Sequence, residues 1–95
     1  MPENNNWHEL SDHYIRMQRK YRPQIGDRVK ILAKASNHDG GWSSTWNPEM
    51  DTAIGHTGTI VDIQMGAIGV KVPDARCSLS RRYFYYPYFV LEIQR

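Results

Sequence analysis

The feature that most constrains this chain is a change of hydrophobic period at Pro23. Ahead of it, Trp7, Leu10, Tyr14, Met17 and Tyr21 recur at spacings of three and four, the apolar stripe of an amphipathic helix. Beyond it the repeat falls to two, with Val29, Ile31 and Ala33 alternating against Arg28, Lys30 and Lys34. One helix must therefore precede a body of short strands, with the boundary at residue 24. Proline forces the break, because it disfavours helical backbone at the residue before it.

Local chemistry sharpens the helix. Residues 1–6 read as a polar, frayed tail, and residues 7–21 as the helix. Asn6 suits the N-cap, with Glu9 three residues on as its capping-box partner. Glu9 and Asp12 lie early, and Arg16, Arg19 and Lys20 late, as the helix dipole favours. Asp12 and Arg16 form an i,i+4 pair. The helix has three possible fates. It docks on the body as a cover for an open edge or end, pairs with its counterpart as the a/d seam of a homodimer, or lies on a membrane or partner surface with its arginines as a basic flank. Docking is preferred, because two heptads are short for a free-standing seam.

Five strands follow. Residues 27–34 give the first and 57–64 the second, with Thr59, Val61 and Ile63 opposite Ile60, Asp62 and Gln64. A turn at Met65-Gly66 leads into residues 67–72, which pair back as a hairpin. Residues 78–86 form an aromatic fourth strand, with Arg81, Tyr83 and Tyr85 on one face and Arg82, Phe84 and Tyr86 on the other. After a turn at Pro87-Tyr88, residues 89–93 close the chain with Phe89, Leu91 and Ile93 alternating. The fold class expected is all-β, a small barrel of about five strands over residues 25–95, because curling removes most of the open edges of so small a sheet.

Between the first two strands runs HDGGWSSTWNPEMDTAIGHTG, residues 38–58. Connections of that length are usually functional or disordered. Two tryptophans and a methionine argue against disorder, which is poor in large apolar side chains.

The segments IGDRV (25–29), GHTGTIVDI (55–63), GVKV (69–72) and YYPYFVLEI (85–93), in that order, resemble an SH3-like barrel. Within that group the chain is similar to the mind-bomb-type domain of some ubiquitin ligases. It also resembles small bacterial and phage proteins that carry Trp-x-Pro-x-Met-Asp ahead of Gly-x-x-Gly-Thr, here residues 46–51 and 55–59. The resemblance covers residues 25–93 and brings no catalytic residues. It implies a recognition module, in some relatives one that binds a peptide segment.

On this reading the chain is a non-catalytic protein- or peptide-binding module. Trp42, Trp46 and Met50 line an aromatic groove beside the loop, Pro48 fixes the loop, and Tyr83, Tyr85 and Tyr88 form one wall. Trp46→Ala then removes binding and leaves the fold; unfolding instead would make the tryptophan core. The bland alternative is that these apolar side chains simply pin the loop down. A rival is a nucleic-acid-binding barrel using Arg76, Arg81 and Arg82 with the neighbouring tyrosines; a net charge of +2 argues against it. A third reading is a homo-oligomeric building block joined through the helix.

Other chemistry is not indicated. His8, His13, His38, His56 and Cys77 lack the paired short spacing of a zinc site. No nucleophile motif or phosphate-cradling glycine loop occurs, so neither enzyme activity nor a cofactor is expected. The lone cysteine excludes an intramolecular disulfide and suits a reducing cytoplasm, the compartment expected in the absence of a secretory leader or membrane span.

Overall fold

The computed structural model describes residues 2–73 and 83–94, and the side chains of residues 2–8, Trp7 and His8 among them, lie outside that description. The helix α1 spans Pro2–Tyr21. It therefore starts ahead of the capping box read from the sequence, and Asn6 lies inside it rather than at its cap. Pro2 makes this early start possible: its φ is already helical, and at the first position it has no N–H to lose. The end is where the chemistry of Pro23 requires, with Arg22 turning into left-handed backbone at φ 55.

Five strands follow among the described residues, β1 (Arg28–Ile31), β2 (Thr57–Gln64), β3 (Ala67–Lys71), β4 (Phe84–Tyr86) and β5 (Leu91–Ile93). They form one antiparallel sheet in the order β4-β3-β2-β1-β5, which brings the last strand beside the first. Side chains of alternate parity fill one face: Val29, Ile31, Ile60, Ile68, Val70, Phe84 and Tyr86 are all buried.

Three expectations change. Strand β1 ends at Ile31, so Ala33 lies beyond it and is exposed. In β2 the register shifts between Ile60, opposite Val70, and Asp62, opposite Gly69. A bulge supplies one residue too many for strict alternation. Ile60 and Ile63 consequently face the same side, opposite Val70 and Ile68, while Val61 is left 37% exposed. Before β5, Tyr88–Val90 is a 3-10 turn rather than strand. Its period of three turns Phe89 outward and buries Val90 next to Leu91. Of the fourth strand read over 78–86, residues 78–82 lie outside the described residues.

The helix docks on this sheet. Tyr14 is 1% exposed; its hydroxyl accepts the Tyr88 N–H at 3.0 Å, and its ring meets those of Tyr88 and Phe89 at 5.2 and 6.4 Å between centroids. Gln18 Nε2 donates to the Gln64 carbonyl at 2.7 Å, and the Tyr21 hydroxyl to that of Leu91. The inward stripe is thus Tyr14, Gln18 and Tyr21. The a/d seam envisaged for a dimer is occupied within the molecule at Tyr14 and Tyr21, and Gln18 faces inward although no apolar pattern marked it.

Candidate functional site

The long connection is ordered by its own short-range chemistry. Pro48–Ala53 is a 3-10 turn with Asn47 as its cap: Asn47 Oδ1 accepts the Glu49 N–H at 2.9 Å, and the Met50 sulfur accepts the Asn47 N–H at 3.1 Å. Pro48 occupies the first position, where its missing donor costs nothing. A tighter turn at Asp39–Gly41 follows His38, whose backbone is left-handed at φ 57 and whose Nδ1 lies 3.3 Å from the Trp42 carbonyl. The Ser43 N–H then donates to the Gly66 carbonyl at 3.0 Å, tying the connection to the β2–β3 turn.

This folding buries the residues expected to bind. Trp42 is 0% exposed, Met50 1% and Trp46 8%. Trp46 Nε1 donates to Asp51 Oδ1 at 2.7 Å, its backbone N–H donates to Asn37 Oδ1 at 2.8 Å, and its ring meets Tyr86 edge-on at 5.8 Å. The groove lined by Trp42, Trp46 and Met50 is therefore corrected: a side chain enclosed by its own domain offers no area to a partner. All three belong to the main hydrophobic core. Pro48 is exposed but serves the turn, as its place directly after the cap residue Asn47 shows.

The tyrosines divide. Tyr88 stacks between Tyr14 and Tyr21, at 5.2 and 5.8 Å, on the side the helix covers. It does not share a wall with Tyr83 and Tyr85, because the 3-10 turn carries it away from β4. Tyr83 and Tyr85 do come together, half-buried, their rings edge-to-face at 5.6 Å on the face of β4 opposite the core. Gly69 on β3 lies beneath them, and a Cβ there would stand 2.9 Å from the Tyr83 ring and 3.1 Å from Asp62 Cβ. The Tyr85 hydroxyl donates to Asp62 Oδ2, which also accepts Gln64 Nε2 at 2.8 Å.

Beside Tyr85 lies a surface pocket of about 370 Å3, lined by Ser43, Ser44, Gln64, Ala67 and Tyr85. It sits against the long connection, where a groove was expected, with different residues on its walls. Ser43 and Ser44 carried no periodic or motif signal, and Gln64 and Ala67 carried only that of their strands. Their meeting depends on the pairing of Gln64 with Ala67 across β2 and β3 and on the Ser43–Gly66 hydrogen bond. Two hydroxyls, an amide and an aromatic wall can read a peptide backbone and one flat or apolar side chain.

Arg76, Arg81, Arg82 and Cys77 lie outside the described residues. Among those described, no group of three or more His, Cys, Asp or Glu side chains is placed to hold a metal, and no helix is long and apolar enough to cross a membrane. No family model, curated protein or solved structure matches this chain.

The Asp62–Tyr85 contact has a measurable signature. The Tyr85 hydroxyl, and after it the Gln64 amide, hold the Asp62 carboxyl below the usual carboxylate range. The same carboxylate, with Tyr83 adding to it, raises the Tyr85 phenol above its ordinary value. A depressed carboxyl contributes stability that is present above its unfolded pKa and lost as pH falls through its folded one. Tyr85→Phe should move the Asp62 titration upward, followed by carboxyl carbon chemical shifts. Its stability deficit against wild type should shrink on acidification. An unmoved Asp62 titration would show that the phenol does not hold this carboxylate in solution.

Proposed function

We propose that this chain is a non-catalytic protein- or peptide-binding module on a small SH3-like barrel, and that its site is the Tyr85 pocket beside the long connection. The observation that carries this reading is the pocket itself: a concave surface of about 370 Å3 with Ser43, Ser44 and Gln64 as polar contacts and Tyr85 as an aromatic wall. Recognition sites commonly combine one aromatic surface with a few placed polar groups. Tyr85 is suited to the role because its orientation is already set by Asp62 and Tyr83, so little side-chain freedom remains to be lost on binding. The strand order, with β5 returned to the side of β1, supports a sheet that curls toward closure.

Selection from a displayed random-peptide library tests this. Sequences enriched on the wild-type domain are synthesised and titrated, with amide chemical shifts as the readout. Ser44, Gln64 and Tyr85 should move, and a Ser44→Arg, Tyr83→Ala double variant should lose binding while melting as a folded domain. Equal enrichment on the double variant, or none on either, rejects the site.

A further inference from the structure

A second concave surface shares no residue with the Tyr85 pocket. It runs along α1 and is closed on its other side by the β2–β3 hairpin. Its wide part, about 510 Å3, is lined by Asp12, Ile15, Arg16, Arg19 and Met65. Its narrow part, about 200 Å3, is lined by Gln18, Arg19, Arg22, Pro23 and Ile63. Arg19 is common to both; Asp12, Ile15, Arg16 and Arg19 recur at three and four residues on one stripe of the helix, and Arg22 and Pro23 extend the wall just past its end.

Two properties of this cleft point to one kind of occupant. Arg16 and Arg19 are exposed, and the arginines along the wall outnumber its single carboxylate, Asp12. Apolar area is available between them, since Met65 is 66% exposed and Ile15 and Ile63 are half-buried.

From these observations we infer that the cleft between α1 and the β2–β3 turn docks a short acidic peptide segment with an apolar side chain. Carboxylates of the segment pair with Arg16 and Arg19, and the apolar side chain packs on Ile15, Ile63 and Met65. Arginine suits the first role because its planar fork receives a carboxylate through two parallel hydrogen bonds. An anionic bilayer offers the same charge and apolarity but presents a flat surface. The groups here line a concavity, which favours a narrow chain.

The test uses the whole chain and defined probes. A synthetic peptide alternating glutamate and leucine should shift the amides of Ile15, Arg16, Arg19, Ile63 and Met65. Binding should weaken as salt is raised. An Arg16→Glu, Arg19→Glu variant should bind about tenfold more weakly or worse, and Met65→Ser should weaken binding with the charges intact. All three residues are exposed, and an unchanged melting temperature verifies that the variants are folded. Three results would each overturn the inference: equal binding of a lysine-leucine peptide, shifts confined to the Ser44–Tyr85 pocket, or binding only to phosphatidylserine vesicles. Failure of the Tyr85 pocket to select peptides leaves this test unaffected, since the two surfaces have no residue in common.

Discussion

Trp46→Ala is expected to destabilise the domain by about 3–5 kcal/mol, the usual cost of emptying a buried tryptophan site. The side chain is enclosed in the main core, in edge-on contact with Tyr86 and hydrogen-bonded through Nε1 to Asp51. Single small domains are stable by only about 5–15 kcal/mol, so this loss removes a large part of the total. The midpoint of urea unfolding should fall sharply with little change in slope. Trp46→Phe separates the contributions: it keeps a ring against Tyr86, loses the bond to Asp51, and should cost only about 1–2 kcal/mol. A Trp46→Ala domain that unfolds at the wild-type midpoint would mean that the tryptophan is not packed in solution. The binding role read from the sequence would then regain its footing.

Gly41→Ala is the second large effect, and it arises from backbone rather than side-chain packing. Gly41 has φ 93, in the left-handed half of backbone space that disfavours any residue with a Cβ. A Cβ at this position would also stand 2.1 Å from the Leu10 carbonyl oxygen and 2.4 Å from its carbon. Those atoms belong to α1 and cannot turn aside as a flexible side chain would, so the helix and the connection must separate. Strain and overpacking together should cost about 3 kcal/mol, which lowers the melting temperature of a domain this size on the order of 15 °C. Gly55 is the control. Its φ is 87, yet nothing lies within 4 Å of an added Cβ, so Gly55→Ala carries the backbone strain alone. Equal losses at the two positions would show that the helix does not rest on Gly41.

These two residues also mark where sequence reasoning held and where it stopped. Asn47, Pro48 and Met50 organise their turn among themselves, and a proline after a capping residue is visible in any sequence. That Trp46 lies under Tyr86, and that Gly41 touches Leu10, depends on segments far apart in the chain arriving at one place. The bulge at Val61 was hidden for a related reason. Alternation in a single strand cannot reveal that its partner is one residue short, so it sends Ile60 and Ile63 to opposite faces although the partner strand brings them to one. Alternation misplaces Phe89 because a 3-10 turn and the start of a strand have the same apolar content over three residues. Arg76, Arg81 and Arg82 lie beyond the described residues, and their assignment is unchanged by the fold.

What the sequence by itself determined was a part of what neighbours govern. The change of period at Pro23 separated one helix from a body of short strands, and the limits of β2 and the turn at Met65-Gly66 followed from local alternation and turn chemistry. Only the tertiary structure decided which aromatic side chains are core and which are surface. Trp42 and Trp46 went inward, Tyr83 and Tyr85 stayed at the surface, and Tyr88 went to the helix. The physical reason is that burial belongs to the whole fold. An apolar side chain packs wherever the largest complementary surface meets it, and that surface here comes from strands and helix distant in sequence.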